Sequence, residues 1–261
     1  MPTGAFTSYI DVAQIALYLF WVFFALLIFY LRREDKREGY PLESDRSDRV
    51  TVQGFPSVPE AKTFLLPHGG TQTAPRVEKD TRPLHAEPSS YFPGAPLMPT
   101  GNPMTDAVGP ASYAERSDTP DLTLEGAPKI VPLRVAGDFY LEPRDPDPRG
   151  CDVVAADGKV AGKVVDAWVD RAEVLIRYLE AEVAGAEGQR RVLLPMTCVR
   201  MTGGKKGPRQ VSINAITAAQ FADIPATSNP AQVTLLEEDR ICAYFAGGNL
   251  YATAQRQEPI L

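Results

Sequence analysis

Histidine and cysteine are scarce in this 261-residue chain, with two of the first and three of the second. His68 and His85 both fall in the first third, so the C-terminal part holds none. That removes Ser-His and Cys-His nucleophilic catalysis from it. Cys151, Cys198 and Cys242 lie far apart with no C-x-x-C pair, which excludes a zinc ribbon or a disulfide scaffold. Internal repeats are absent, as are a Walker loop, G-x-G-x-x-G, H-E-x-x-H and G-x-S-x-G. Basic residues number 27 against 33 acidic, a net charge of -6. The clustered cationic excess that a general nucleic-acid binder needs is missing. What abounds is proline: 24 residues, about twice the average usage of roughly 5%.

The hydrophobicity is uneven. Val12 to Leu31 is a run of twenty residues whose only strongly polar member is Gln14, and thirteen of them are Val, Ile, Leu or Phe. As a helix it spans roughly 30 Å, the thickness of a bilayer's hydrocarbon core. Those thirteen side chains favour insertion by about 4 to 8 kcal/mol. Tyr9 and Tyr30 would sit about 31 Å apart, where an aromatic belt belongs. A cleavable signal peptide would need a basic start and a shorter apolar core. Here no Lys or Arg precedes residue 32, whereas Arg32, Arg33, Lys36 and Arg37 follow the run at once. The positive-inside rule then puts residues 1–11 on the periplasmic side and the rest in the cytoplasm. The same basic cluster suits anionic lipid headgroups.

Residues 41–132 hold fifteen of the prolines, and apolar residues come there in short bursts without a lasting period. Phe55, Phe64, Leu65, Leu66, Tyr91, Phe92, Leu97 and Met98 make residues 32–128 more apolar than a free linker needs. An extended segment docked on another protein surface is expected. From Lys129 the texture changes to short β-like runs: Ile130–Val135, Asp152–Ala155, Lys163–Val169, Val174–Val183, Arg190–Leu194, Cys198–Met201 and Val211–Ile213. In the third, Val165, Ala167 and Val169 alternate with Asp166 and Trp168, as in a half-buried strand. Thr234-x-x-Glu237 is a capping box opening a helix over Leu235–Ala246, with Gly247-Gly248 as its stop. The fold class expected is one transmembrane α-helix plus a mainly β domain, a small antiparallel barrel over residues 129–250 with a terminal helix, then a tail at 251–261.

Carboxylates are the remaining chemistry. Asp166, Asp170 and Glu173 fall within eight residues, with Arg171 and Arg177 beside them. Two readings stay open. One is a solvated hairpin end whose screened pairs contribute little. The other is a proton relay, in which burial raises a carboxyl pKa toward neutrality and a nearby Arg partly reverses that. Asp170-x-x-Glu173 also fits a helix start, although β-branched Val174 and Ile176 favour a strand hairpin.

Several segments together resemble one family, the H subunit of the photosynthetic reaction centre of purple bacteria. They are YLRREDKREGYPL (Tyr30–Leu42), KTFLLPHG (Lys62–Gly69), PTGNP (Pro99–Pro103), VGPASY (Val108–Tyr113), KIVPL (Lys129–Leu133), DAWVD (Asp166–Asp170) and VTLLEEDRICAYFAGG (Val233–Gly248). The resemblance implies a PRC-type β-barrel capping the cytoplasmic face of the L and M subunits in an intracytoplasmic chromatophore membrane. The complex carries bacteriochlorophyll, bacteriopheophytin, quinones, non-haem iron and carotenoid, none bound by this chain alone. A cytochrome subunit, light-harvesting antenna polypeptides and membrane lipids are further implied neighbours. The implied task is non-catalytic: to conduct protons to the secondary quinone.

The resemblance assigns the inner relay position to Glu173, with Asp170 close by and Arg177 as its electrostatic tuner. Relatives carry a histidine pair shortly before Lys-Ile-x-Pro, where this chain has Asp121-Leu-Thr-Leu-Glu-Gly-Ala-Pro-Lys129 and no histidine. Asp121 matches an acidic position of the family and Glu125 falls where one histidine would be, so these two are expected to collect protons instead. Two other function classes remain to be weighed. One is a single-span adaptor whose PRC-like barrel binds another membrane complex, and the other a tethered hydrolase using Asp166 and Asp170.

Overall fold

A computed structural model describes residues 4, 7, 10–40, 54–74, 80–92, 94–185, 188–204 and 207–257. Tyr9, expected at the outer interface, lies outside them. The chain divides into two compact units, Met1–Lys79 and Asp80–Leu261, so the Pro-rich stretch is shared between them.

The first unit is built on α1, Val12–Arg37, which opens where the Asp11 carboxylate accepts from the Gln14 amide at 2.8 Å. It is long and apolar enough to cross a membrane, and none of its apolar stretch is buried inside the protein. Tyr30 is exposed near the C-terminal end of that stretch. The helix runs six residues past the expected span, and its last turn corrects the reading of the basic cluster. Lys36 and Arg37 are buried rather than presented to headgroups. Lys36 donates to the carbonyls of Gly54 and Pro56, and Arg37 to that of Glu60 and to the Glu34 carboxylate. Lys62 closes the knot on Glu34 at 2.7 Å. The returning chain thus consumes two of the four cations. Arg32 pairs with Asp35 at 3.2 Å, and the Arg33 guanidinium lies 5.9 Å from the centre of the Phe29 ring. Beyond the knot, β1 (Lys62–Leu65) and β2 (Thr71–Ala74) form a hairpin, with His68 in its turn.

The second unit begins with a short hairpin, β3 (Ala86–Pro88) and β4 (Leu97–Pro99), and a single helical turn at Gly109–Ala111. Its body is a seven-stranded sheet: β5 (Ile130–Pro132), β6 (Asp152–Val154), β7 (Val160–Asp170), β8 (Leu175–Gly185), β9 (Gly188–Pro195), β10 (Val199–Gly204) and β11 (Gly207–Ile213). The order is β10-β11-β6-β7-β8-β9. Pairing is antiparallel except between β6 and β11, which run parallel. The 11-residue β7 is the spine: β8 follows it along one edge, while β6 and then β5 take the other.

β7 is not half-buried as its alternation suggests. From Asp166 to Asp170 every residue is buried, Trp168 at 1% exposure. Two register shifts against β8, at Val164/Asp166 and Trp168/Val169, rotate successive side chains off strict alternation. Trp168, Leu179, Leu194, Ile213, Ile216 and Phe221 fill one core with Phe245 of α2 (Leu235–Tyr251). Each such side chain contributes about 1.5–3 kcal/mol by leaving water.

α2 opens on the expected capping box: Thr234 Oγ1 accepts from the Glu237 amide, and the Glu237 carboxylate from that of Thr234. Its end differs. Gly247 and Gly248 do not stop the helix but lie inside it, buried, at a point of close approach. A methyl on Gly248 would lie 2.4 Å from Ile216 Cγ2 and 2.6 Å from the Ala215 carbonyl oxygen. A glycine-to-alanine change within a helix ordinarily gains up to about 1 kcal/mol. Here overpacking, at about 1–3 kcal/mol, outweighs that. Gly248→Ala is therefore expected to destabilise the detergent-solubilised chain by about 1–2 kcal/mol in denaturant unfolding; a gain in stability would contradict the close packing.

Candidate functional site

Two turns converge at one end of β7. The pairing of Ile130 with Asp170 sets Lys129 beside the β7–β8 turn, where its carbonyl accepts from the Arg171 amide at 2.9 Å. Residues 121–129 fold back on themselves: the Lys129 amide donates to the Asp121 carbonyl at 2.8 Å, and Leu122 bridges Pro128. The β7–β8 turn is an Asp-capped loop, not a helix start. Asp170 Oδ1 accepts from the amides of Ala172 and Glu173, both at 2.9 Å, and the Asp170 carbonyl from that of Val174. Val174 closes the turn at φ 55°, a left-handed conformation unfavourable to a β-branched residue.

The result is a charge cluster centred on a lysine. Lys129 Nζ lies 3.6 Å from Asp121 Oδ2, 3.6 Å from Asp170 Oδ2 and 4.0 Å from Glu173 Oε1. Arg177 Nε approaches Asp170 Oδ2 at 4.0 Å. Four residues singled out in the sequence, Asp121, Asp170, Glu173 and Arg177, thus come together. They are unequally buried. Asp170 is completely buried, and its Oδ2 has no hydrogen-bond partner among the described residues, whereas the Glu173 side chain is 59% exposed. Glu125 does not join them. It sits at the tip of the folded-back loop, fully exposed, with its own amide and the Thr123 hydroxyl holding its carboxyl below the usual carboxylate range.

Asp166 and Asp170 form no acid–base pair. Asp166 belongs to a second cluster with Glu180, both buried and both taking Arg134, while Trp168 Nε1 donates to Glu180 at 3.2 Å. That cluster ties the chain after β5 to β7 and β8.

Two further side chains of the site carry no signal in spacing or motif. Lys129 stands just before β5, where its sequence neighbours give no sign of the acids it meets. Glu238 sits in the first turn of α2, where acids are ordinarily favoured at the surface by the helix dipole. Glu238 instead turns inward, and burial pushes its carboxyl pKa up, against the pull of Tyr178, Arg177 and Arg116. Tyr178 Oη donates to Glu238 Oε2 at 2.8 Å and lies 3.8 Å from Cys242 Sγ. The helical period carries the missing signal, since Glu238 shares a face with Ile241 and Phe245, which are fully buried.

Residues 4–135, which are 132 of the 261, match the family model of the photosynthetic reaction centre H-chain N-terminal region. The chain belongs to the reaction centre H-chain family. Residues 142–220 match the PRC-barrel domain, which covers the sheet from β6 to β11. An H chain is a structural subunit of a reaction centre complex, and with its one apolar N-terminal helix this one is a single-pass membrane protein. No group of three or more His, Cys, Asp or Glu side chains able to hold a metal ion occurs among the described residues of this H chain.

The raised Glu238 pKa has a consequence for stability. Above the ordinary carboxylate value of 4.5 and up to its raised folded value, the folded chain holds a proton that the unfolded chain releases. Stability contributed by this group is therefore present below pH 4.5 and lost as pH rises through that window. Glu238→Gln keeps an acceptor for Tyr178 and removes the titration. Thermal melts across pH should show a flatter profile for the variant than for wild type; identical slopes would contradict the desolvation of Glu238.

Proposed function

We propose that this H chain caps the cytoplasmic face of the L and M subunits and passes protons to their secondary quinone through the Lys129 cluster. The observation that carries this is Asp170: a wholly buried carboxylate with one unpartnered oxygen, set among cations at 3.6 Å and 4.0 Å. A buried acceptor of this kind is expensive unless something completes its hydrogen bonding. Separations of 3.6–4.0 Å are ion-pair distances that small side-chain movements close to hydrogen bonds. Asp121, half-exposed on the folded-back loop, can take a proton from solvent. Asp170 with Lys129 holds the middle of the path. Exposed Glu173 faces outward from the turn tip, where a partner surface would lie against it. Glu125, held ionised at the loop tip, contributes negative potential rather than a proton store.

The exposed apolar residues of the Pro-rich stretch support the capping role. Phe55, Leu65, Leu84, Tyr91 and Phe92 are all more than half exposed in the chain by itself. A water-soluble surface gains nothing from them, whereas an L and M surface would bury them. The orientation follows from the absence of Lys and Arg before residue 32 and the four cations after it.

Asp170→Asn and Glu173→Gln each keep the shape of the side chain and remove its proton. In the assembled complex both are expected to slow proton-coupled transfer of the second electron to the quinone, by about tenfold or more, with primary charge separation unchanged. Flash-resolved absorption measures both steps. Wild-type second-electron kinetics in both variants would overturn the proposal.

A further inference from the structure

On another flank of the barrel, the segment following β5 and the strands β7 and β9 enclose an open cleft of about 440 Å³. Three arginines line it, Arg134, Arg149 and Arg191, with Phe139, Tyr140 and Asp166. Their donors are unevenly spent. Arg134 is consumed by Asp166, Glu180 and the Pro230 carbonyl, so it forms a fixed floor. Arg149 gives Nε and one terminal nitrogen to Asp147, and its other terminal nitrogen has no hydrogen-bond partner among the described residues. Arg191 is 55% exposed, and its nearest carboxylate oxygen, on Glu180, is 3.5 Å away. The three guanidiniums and the three carboxylates they touch balance in charge. The cleft therefore offers unspent planar N–H forks rather than a net positive field, and such forks fit a phosphate group.

The apolar side of the cleft narrows the ligand. Tyr140 is 80% exposed, and Phe139 lies next to it in the wall. A ring at that position stacks on a flat group. The volume falls in the range of small-molecule sites and exceeds what a bare phosphate ion needs. We propose that this cleft binds an organic phosphate carrying a planar ring, with the phosphate on Arg149 and Arg191 and the ring against Tyr140. The site is separate from the Lys129 cluster and does not depend on the proton-conduction proposal.

The test is equilibrium dialysis of the purified, detergent-solubilised complex against ADP, adenosine and orthophosphate at low ionic strength. One saturable ADP site per H chain is expected, with adenosine not retained and orthophosphate held more weakly than ADP. Arg149→Ala and Arg191→Ala should each weaken ADP by about tenfold, the loss expected for a charged hydrogen bond. Both side chains are about half exposed, so the fold should tolerate either change, with melting temperature as the check. Arg191→Lys, which keeps the charge and loses the fork, should fall between Arg191→Ala and wild type. Tyr140→Ala should weaken ADP and leave orthophosphate unaffected. The proposal is overturned if ADP shows no saturable site, if Arg149→Ala and Arg191→Ala bind it like wild type, or if ADP binds no better than orthophosphate.

Discussion

One ammonium group holds the candidate site together. Lys129 reaches three carboxylates from two turns, Asp121 from the folded-back loop and Asp170 and Glu173 from the β7–β8 turn, and offsets the repulsion among them. At about 4 Å and an effective dielectric constant near 20, a single unit-charge pair is worth about 4 kcal/mol before desolvation is subtracted. For half-exposed Asp121 and Glu173, solvent screening removes most of that. For Asp170 it does not, because that carboxylate is fully buried. Lys129 and Arg177 are thus what allow a charge to sit at the end of β7, and the sheet register is what delivers Lys129 there.

The same logic runs through both units: polar side chains are spent on backbone where the chain must turn. Lys36 and Arg37 hold the returning segment after α1. Asp170 caps the β7–β8 turn with one oxygen and keeps the other free for ions. That division of labour explains why a buried acid is tolerated in a small sheet. Its structural half is satisfied by two amides, and only the second oxygen depends on neighbours.

Much of this was legible in the residues. The uniform apolarity of Val12–Leu31 leaves a helix as the only way to satisfy its backbone in lipid. The capping box at Thr234 and Glu237 fixed the start of α2, because both of its hydrogen bonds are local. The stop was misread because Gly247 and Gly248 serve contacts with Ala111, Ala215 and Ile216, which are remote in sequence. Strand β7 misled for a similar reason, since its register shifts arise from pairing with β8 and leave no trace in its own alternation. In the site, spacing brought Asp166, Asp170 and Glu173 to attention with Arg171 and Arg177, and the family resemblance selected Glu173, Asp170 and Arg177, yet neither could tell which acid is buried. That depends on Lys129 arriving through β5, a pairing 40 residues distant in the chain. Glu238 stands where acids ordinarily favour the exposed helix N-terminus, and its hydrogen bond to Tyr178 overrides that preference.

The central claim is that Asp170, held by Lys129, changes its protonation when the neighbouring quinone is reduced. Light-minus-dark infrared difference spectroscopy of the assembled complex reads this directly. The account predicts a carboxyl C=O band on quinone reduction that disappears in Asp170→Asn and shifts in Lys129→Gln. A spectrum in which the carboxyl bands of both variants match wild type would contradict it.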